Sequence, residues 1–320
     1  MKISVAFIVY NGTNYMRTQL DSILAQTHKV DEIIVVEDAS LDNTKEILTE
    51  YVNKHPSLFS MYYNSRNCGS YKSIDKAIKA CTGDLILLAD HDDFWESNKV
   101  ERILKYFEEN PNMEGLMTNG FLIDAEGKVG IKYSLWDSMS FPYKNIANSH
   151  ELKKYINTVE NCATGATMAI KNHLPILKKD FPLIKNMIHD RWLAINLAEK
   201  NTLGILDEKL IRYRLHPTQE TGGRKKEIDD YIKINNNIFL EDTDIASFKF
   251  LRYILNKIEW NLYIQNEIKK ISSLGFDNQK YIDVLKNKHA KFMKIGFQKW
   301  PILSSLRKIK KIFIPTAASQ

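Results

Sequence analysis

The sequence contains only three cysteines in 320 residues, Cys68, Cys81 and Cys162. Their number is odd, and no two of them have the short spacing of a metal-binding pair. This pattern argues against a disulfide framework and against a cysteine-ligated metal. We therefore expect a reducing compartment, in which the three thiols serve as small core residues.

Long hydrophobic runs are missing as well. No stretch reaches the roughly 20 apolar residues that a membrane-spanning helix requires. The apolar segment that follows Lys2 is broken by Asn11 and Gly12, and no small-residue cleavage site comes after it, so we expect no secretory signal. The sequence also has no internal repeat and no low-complexity tract.

Acidic residues are absent from the end of the chain. After Asp283 there are nine Lys or Arg and no Asp or Glu, whereas the whole chain has 45 basic and 39 acidic residues. The net charge of +6 therefore becomes −3 once these nine basic residues are set aside. This balance argues against a body that binds nucleic acid, and it predicts that only the tail favours an anionic surface.

A regular alternation of strand and helix patterns fills the first third of the chain. Four apolar, β-rich runs are each followed by a helix-period pattern, which predicts an α/β fold with a mainly parallel, doubly wound sheet. Gly83 is expected to follow the third helix as its C′ residue. The four strands are predicted at 3–10, 33–36, 59–63 and 85–89.

The alternation stops at Gly115, and helical patterns take over near the end of the chain. The loop at 217–226 is the expected boundary, which divides the chain into a domain at 1–222 and a basic, helical extension at 223–320. Further strands are predicted at 116–123, 163–170, 203–206 and 210–216, and helices at 187–200 and 248–271.

Three of the predicted strands end in polar residues. In parallel sheets ligands bind outside the carboxyl ends of the strands, so these ends are expected to meet in one crevice. Carboxylates packed closely repel one another and are tolerated when a cation lies between them. Taken alone, the acids also fit a solvated loop. The polar ends are Tyr10-Asn11, Glu37-Asp38 and Asp90-His91-Asp92-Asp93.

These segments resemble family 2 glycosyltransferases, which are inverting nucleotide-sugar transferases of the GT-A fold. The resemblance rests on residues 4–11, 26–27, 32–44 and 90–93, and it covers the first two-thirds of the chain. The family often has Pro, Asp and Gly where this sequence has Ile8, Glu37 and Ala39.

The resemblance implies donor-binding roles for residues at several strand ends. Asp38 matches the acid that accepts an N–H of the nucleotide base, and the loop at 67–69 matches one that lines the nucleotide pocket. Without the family, Tyr10 fits a core aromatic and Asp38 fits an acid at a helix N-terminus. The implied donor-binding residues are Tyr10, Asn11, Asp38, Asn67, Gly69, Asp90 and Arg214.

The resemblance also implies a divalent cation, Mn²⁺ or Mg²⁺, with Asp92 and His216 as its ligands. Such a cation bridges the donor phosphates and stabilises the departing nucleoside diphosphate. Asp90 is expected to lie toward the ribose or a metal-bound water. Asp93 is expected to begin the next turn, and His91 to be hydrogen-bonded or, alternatively, to act as a third ligand.

The acid motif continues to Phe94 and Trp95. In this extended form it resembles a subset of the family that is often described as rhamnosyltransferases. That subset has Gln where this sequence has His91, so the motif indicates the subset and leaves the donor sugar open.

Inversion requires a base that removes the proton of the acceptor hydroxyl. Asp190 matches that base in the resembling enzymes, and His189 is expected to orient or contact the substrate. Arg214 is expected to clamp the pyrophosphate. Read alone, Asp190 also fits an acid favoured by the dipole of a helix start, and Arg214 fits the surface of an edge strand.

Two later segments carry further expectations. Residues 219–225 are a candidate mobile lid over the donor. The tail is a basic amphipathic segment that fits a membrane interface or, alternatively, a terminal helix packed on the core. Its apolar residues are Phe292, Ile295, Phe297, Trp300, Ile302, Leu303, Leu306, Ile309, Ile312 and Phe313.

Together these patterns predict a metal-dependent enzyme on the cytoplasmic side of the membrane. It would move one sugar from a dTDP- or UDP-sugar to a glycan or lipid-linked acceptor in the synthesis of a cell-surface polysaccharide. The Gln-x-x-Arg-Trp signature of processive synthases is absent, so we expect single-sugar addition. One alternative is a sugar-1-phosphate nucleotidyltransferase, although the loop at 11–14 lacks the Gly-rich, Arg-bearing pattern of that class. The other is a non-catalytic adaptor that the basic tail recruits to a membrane.

Overall fold

The computed structural model describes residues 1–185, 187–219, 232, 235–236, 238–239, 245, 247–271 and 278–301. They belong to two compact units, the first formed by 1–156 and 161–229 and the second by 157–160 and 230–320. The domain boundary predicted after residue 222 lies outside the described residues, as do positions 220–225 of the predicted lid.

A mixed sheet forms the centre of the first unit. Its strands are β1 (Ile3–Val9), β2 (Glu32–Glu37), β3 (Phe59–Tyr63), β4 (Leu85–Asp90), β5 (Phe94–Trp95), β6 (Gly115–Ile123), β7 (Val129–Ser134), β8 (Met168–Lys171) and β9 (Leu203–Arg214). The parallel neighbours β3-β2-β1-β4 are followed in space by β8, β6, β9 and β5, and β7 pairs with β6. The predicted α/β class with a mainly parallel sheet is confirmed.

Helices with an apolar face pack against these strands. In the helix at Lys99–Glu109 the buried residues Val100, Ile103, Leu104 and Phe107 recur at the spacing of one helix face. All seven residues of β1 are buried, as expected of a parallel strand covered on both sides. Up to residue 199 the helices are α1 (Met16–Leu24), α2 (Thr44–Lys54), α3 (Ser70–Ala80), α4 (Lys99–Glu109), α5 (Leu135–Ser138), α6 (Ser149–Thr158) and α7 (His189–Glu199).

Backbone pairing places the carboxyl ends of β1, β2 and β4 side by side. Val9 is opposite Glu37, and Ile8 is opposite Asp90. The residues that follow these strands therefore leave the sheet at the same edge. This is the convergence that the three polar strand ends predict.

The later strands differ from their predicted bounds. The two strands expected at 203–206 and 210–216 form the single strand β9, which pairs in parallel with β6 through shifts of register around Asn119. The strand expected at 163–170 begins only at Met168, because Gly165–Thr167 form a 3-10 turn. This turn lies beside the candidate site described below.

Gly83 is not the C′ residue of α3. That helix ends at Ala80 and is followed by Cys81 in an extended conformation, and Gly83 is not among the residues with positive φ. A Cβ on Gly83 would instead lie 2.6 Å from the Ser4 hydroxyl and 2.8 Å from the Lys2 carbonyl. Glycine is required here for a close backbone approach to β1.

The second unit contains two long helices, α8 (Phe248–Lys270) and α9 (Gln279–Lys299). A polar stripe on α8 meets residues 157–160: Asn261 donates to the Val159 carbonyl, and Gln265 donates to Asn157. None of the helices in the described part of the chain is long and apolar enough to cross a membrane.

The described part of the basic tail packs within the second unit. Phe292 is fully buried, and the Trp300 ring lies 6.1 Å from the Phe248 ring. The remaining apolar residues of that segment, at 302, 303, 306, 309, 312 and 313, lie outside the described residues.

Candidate active site

A cavity of about 550 Å³ opens where β1, β2 and β4 end. Its walls come from the first unit, and they include the Gly165 turn and the start of α7. Gly69 and Arg214 are predicted site residues that do not line it. The predicted residues that do are Tyr10, Asn11, Asp38, Asn67, Asp90, Asp92, Asp190 and His216.

The end of β1 is tied to the loop after β2. The Asn11 backbone N–H donates to the Ser40 hydroxyl, and the Asn11 side-chain oxygen accepts from the Leu41 N–H, both over 2.9 Å. Asn11 has a left-handed φ of 51°, which Asn tolerates better than most residues. Tyr10, the residue before it, is 36% exposed and lines the cavity.

Asp38 organises the loop at 64–69. Its carboxylate accepts from the Asn64 side chain at 2.7 Å, the Cys68 N–H at 2.8 Å and the Gly69 N–H at 2.9 Å. Gly69 has a φ of +84°, a conformation that L side chains rarely adopt. Asp38 therefore holds in place the loop that brings Asn67 to the cavity wall.

Asp92 and His216 both line the cavity and contact each other. His216 Nε2 lies 2.9 Å from Asp92 Oδ2, and His216 Nδ1 lies 2.9 Å from the Thr218 hydroxyl. The imidazole also packs against the Tyr15 ring at 4.9 Å. Thr218 and Tyr15 thus fix the orientation of the histidine ring.

Asp93 and Arg214 lie behind this pair. The Arg214 backbone N–H donates to the Asp93 carboxylate at 3.0 Å, and Asp93 is 1% exposed. Burial, together with the charges of Asp92 and Asp90, raises the pKa of Asp93 well above its usual range. The Arg214 guanidinium lies 4.6 Å from the Tyr15 ring centroid and donates to three main-chain carbonyls, those of Asp92, Asp124 and Ala125.

Asp190 lies in the first turn of α7, where its carboxylate is 6% exposed. It accepts from the Asn161 side chain at 3.1 Å and from the N–H groups of Arg191 and Gly165. Burial raises the pKa of Asp190 from 3.8 to about 7, although these hydrogen bonds and the Arg191 charge lower it. Burial, together with the charge of Asp190, raises the pKa of the nearby Cys162 thiol.

His189 lines the cavity next to Asp190. Burial lowers the pKa of His189 to about 4, so the imidazole is neutral near pH 7. The ring packs directly on the Gly165 turn, since a Cβ on Gly165 would lie 2.4 Å from His189 Nε2. A neutral imidazole here can donate or accept a hydrogen bond with a substrate hydroxyl.

Several residues that hold the site together carry no signal in the sequence. Asn161 reaches Asp190 across 29 positions, and Asn64 reaches Asp38 across 26. Thr218 contacts His216 only because the chain turns after β9. Asparagine and threonine are common in loops, so their roles become visible only once the chain is folded.

Asp92 and His216 together offer a carboxylate oxygen and an imidazole nitrogen, two groups that could hold a divalent cation. Among the described residues, no three His, Cys, Asp or Glu side chains form a group that could hold a metal. Because Nδ1 of His216 faces Thr218, Nε2 points toward Asp92, as second-shell orientation of a histidine ligand requires. Phosphate oxygens and water would complete the coordination.

The amino-acid sequence matches a known family. The family described as Glycosyl transferase family 2 matches residues 4–166, just over half of the chain. An uncharacterized glycosyltransferase of Nostoc sp. is 32% identical over 220 residues, which are 68% of this chain and 65% of that protein. An uncharacterized glycosyltransferase of Rickettsia typhi is 29% identical over 233 residues, 72% of this chain and 69% of that protein. The chain thus matches less than two-thirds of the length of the Nostoc relative.

Solved structures show the same fold at low sequence identity. S. aureus TarS 1-349 in complex with UDP-GlcNAc has a TM-score of 0.56 and 17% identity, covering 93% of this chain and 73% of that one. The mannosyltransferase PcManGT from Pyrobaculum calidifontis, in complex with GDP-Man and Mn²⁺, has a TM-score of 0.52 and 15% identity. The match covers 98% of this chain and 81% of the PcManGT chain. The fold is therefore the GT-A fold that the resemblance implied.

Proposed function

The chain belongs to glycosyltransferase family 2, and we propose that it transfers one sugar from a nucleotide donor to an acceptor hydroxyl with inversion at the anomeric carbon. The observation that carries this proposal is that Asp190 and the Asp92–His216 pair line the same cavity of about 550 Å³. That volume lies in the range of small-molecule sites, roughly 300–1,000 Å³. A general base and a metal-binding pair in one cavity are what a metal-assisted direct displacement needs.

Asp190 is the proposed general base. The acceptor oxygen forms a bond to the anomeric carbon while the bond from that carbon to the pyrophosphate oxygen breaks. The bonding electrons leave with the nucleoside diphosphate, and the acceptor proton moves to the Asp190 carboxylate. A pKa of about 7 suits this role, because the group is half ionised at neutral pH and still basic enough to accept the proton.

Asp92 and His216 are the proposed ligands of Mn²⁺ or Mg²⁺. Bound there, the cation would supply positive charge to the developing charge on the pyrophosphate. Asp38 and the loop at 64–69 support the nucleoside, and Asp90 lies toward the ribose or a metal-bound water. The Mn²⁺ in the structure of PcManGT supports a metal requirement.

The donor is a nucleotide sugar, and a dTDP- or UDP-sugar is the narrower proposal. The ligands of the solved relatives, UDP-GlcNAc and GDP-Man, support the class of donor. The motif that ends in Trp95 favours a rhamnosyltransferase-like subset. The acceptor is a glycan or a lipid-linked saccharide in cell-surface polysaccharide synthesis.

The predicted cytoplasmic location, at the inner face of the membrane, belongs to the same proposal. A lipid-linked acceptor would require the cavity to work close to a bilayer. The basic residues near the end of the chain would favour an anionic lipid surface. A domain at 1–222 with a helical extension at 223–320 is the proposed organisation.

A panel of nucleotide sugars tests the proposal. The protein is mixed with each donor, with and without Mn²⁺ or Mg²⁺, and the melting temperature and the released nucleoside diphosphate are recorded. A donor at about 100 times its Kd adds roughly 2.7 kcal/mol of stability, which raises the melting temperature by several degrees. We expect one class of donor to give this rise only when metal is present.

Asp92→Asn is the variant that should lose the metal-dependent part of the response. Asp180→Asn is its matched control, because the Asp180 side chain is 96% exposed and pairs only with the surface residue Lys79. The control should respond as the wild type does. The proposal is contradicted if no donor gives a metal-dependent response in the wild-type protein.

A further inference from the structure

Lys99 is a fully buried lysine that no step of the proposed reaction uses. Its exposed fraction is 0%, although it is the first residue of α4. Moving an ammonium group out of water is costly, and a cation at a helix N-terminus also lies against the positive end of the helix dipole. A lysine placed at the surface would avoid both costs, so its burial calls for an explanation.

One side of Lys99 faces the acid loop, which consists of residues 90–95. Its ammonium lies 4.2 Å from the centroid of the Trp95 ring, which is itself fully buried. Burial lowers the pKa of Lys99 to about 7, and the charges of Asp93 and Asp90 act in the opposite direction. Lys99 therefore packs against the segment that carries Asp92, and the Asp93 and Asp90 charges favour its protonated form.

The other side of Lys99 holds the Gly165–Thr167 turn. The Lys99 ammonium donates to the carbonyl of Ala166, the central residue of that turn, at 2.8 Å. The preceding residue, Gly165, donates its N–H to the Asp190 carboxylate and packs against the His189 ring. The turn thus lies between the buried ammonium and the proposed base.

We propose that Lys99 is a positioning residue that couples the acid loop to the general base, Asp190. On one side its ammonium packs on the Trp95 ring of the acid loop. On the other side it donates to the Ala166 carbonyl. Through Gly165, the same turn sets where the Asp190 carboxylate lies. This inference rests on the proposed function, since it assumes that Asp190 is the base and that the acid loop binds the donor.

The coupling matters because the displacement depends on distance. The acceptor oxygen must approach the anomeric carbon closely while its proton reaches Asp190, and a misplacement of about 1 Å can cost on the order of 10²-fold in rate. A rigid buried link keeps the base and the acid loop at a fixed separation.

Lys99→Met tests the coupling, because it keeps the length of the side chain and removes the charge and the N–H donors. We expect kcat to fall by at least about tenfold with a smaller change in the KM for the donor. We also expect the acid limb of the pH–rate profile to move to higher pH. The Gly165 hydrogen bond lowers the pKa of Asp190, so loosening the turn lets that pKa rise.

Lys257→Met is the matched control. Lys257 is also a buried lysine, burial also lowers its pKa to about 7, and its ammonium also lies near an aromatic ring, 5.2 Å from Tyr253. It belongs to the second unit, whereas the Gly165 turn belongs to the first. We expect this variant to lose thermal stability while kcat and the acid limb stay as in the wild type.

The outcomes separate the coupling from the proposed function. If the wild type turns over and Lys99→Met matches it in kcat and acid limb, or if Lys257→Met shows the same changes as Lys99→Met, the coupling is contradicted. If the wild type turns over no donor, the proposed function fails instead. Should Lys99→Met not fold, Lys99→Gln keeps an amide N–H donor group without the charge and is expected to show the same changes to a smaller extent.

Discussion

Asp190 is the residue on which the proposed reaction depends, and its burial sets the pH at which it acts. The pKa of Asp190 is raised from 3.8 to about 7, and only the ionised carboxylate accepts a proton. We expect kcat to fall about tenfold for each pH unit below 7 and to level off above it. Steady-state rates measured from pH 5 to 9 check this. An acid limb near pH 4, as for an exposed carboxylate, would contradict it.

The same burial predicts a cost in stability. The folded state binds the Asp190 proton more tightly than the unfolded state does. The contribution of this group to the free energy of unfolding is therefore fully present below about pH 4 and is lost as the pH rises through 7. Asp190→Asn carries no charge, so it should gain stability that grows between about pH 4 and pH 7. The limit is roughly 4 kcal/mol, at 1.36 kcal/mol per pKa unit.

Urea unfolding of both proteins at pH 5 and pH 8 measures this gain. The difference in free energy of unfolding between Asp190→Asn and the wild type should be clearly larger at pH 8. An equal difference at the two pH values would mean that the carboxylate is not held in a raised-pKa state.

Ala39 is a second residue whose local conformation carries a prediction. Its φ is 61°, which costs a non-glycine residue roughly 1–2 kcal/mol, and the family often has glycine here. Glycine loses about 0.5–1 kcal/mol of that gain through chain entropy. Ala39→Gly should therefore raise the free energy of unfolding by about 0.5–1 kcal/mol. Ala125→Gly, at a turn residue without positive φ, should lower it in the same measurement.

At the scale of elements, β9 and the acid loop are joined by Arg214. Its guanidinium donates to the carbonyls of Asp92, Asp124 and Ala125. Arg214→Gln leaves these carbonyls without their donor, so it should lower the free energy of unfolding by about 1–3 kcal/mol even without a donor substrate.

Arg212→Gln is the control on the same strand. Arg212 is 39% exposed and pairs with Glu96, so its loss should cost about 1 kcal/mol or less. If Arg214→Gln leaves the stability of the free protein unchanged and weakens only donor binding, Arg214 acts as the phosphate clamp that the family resemblance implied.

The elements that the sequence predicts well are those with a clear period. Strands β1 to β4 are apolar runs bounded by polar breaks, and their observed bounds lie close to the predicted ones. The 3-10 turn at Gly165–Thr167 falls within the strand predicted at 163–170, and the observed strand begins only at Met168. The polar positions 207–209 within β9 resemble a break between two strands, and only the pairing with β6 reveals one continuous strand.

Buried polar residues are the part of the site that sequence patterns do not predict. A lysine at a helix start, such as Lys99, looks like a solvated residue until the turn that it contacts is known. Lys257, Asn261 and Gln265 likewise resemble an exposed helix face but are buried. Their partners are distant in sequence, so the reason for their burial is tertiary.

At the scale of the whole molecule, the described walls of the cavity all belong to the first unit. The second unit builds its own interior around α8 and α9, with the ammonium of Lys288 donating to the Ile238 carbonyl at 2.7 Å. The proposed chemistry therefore depends on the unit that matches the family.

The most direct test of the proposed function compares the turnover of the wild type and of Asp190→Asn at pH 8. Both proteins are given the donor that the panel identifies, its acceptor and Mn²⁺, and the released nucleoside diphosphate is measured. We expect Asp190→Asn to bind the donor as the wild type does and to lose about 10²- to 10⁴-fold in kcat. A kcat within a few-fold of the wild type would contradict Asp190 as the base.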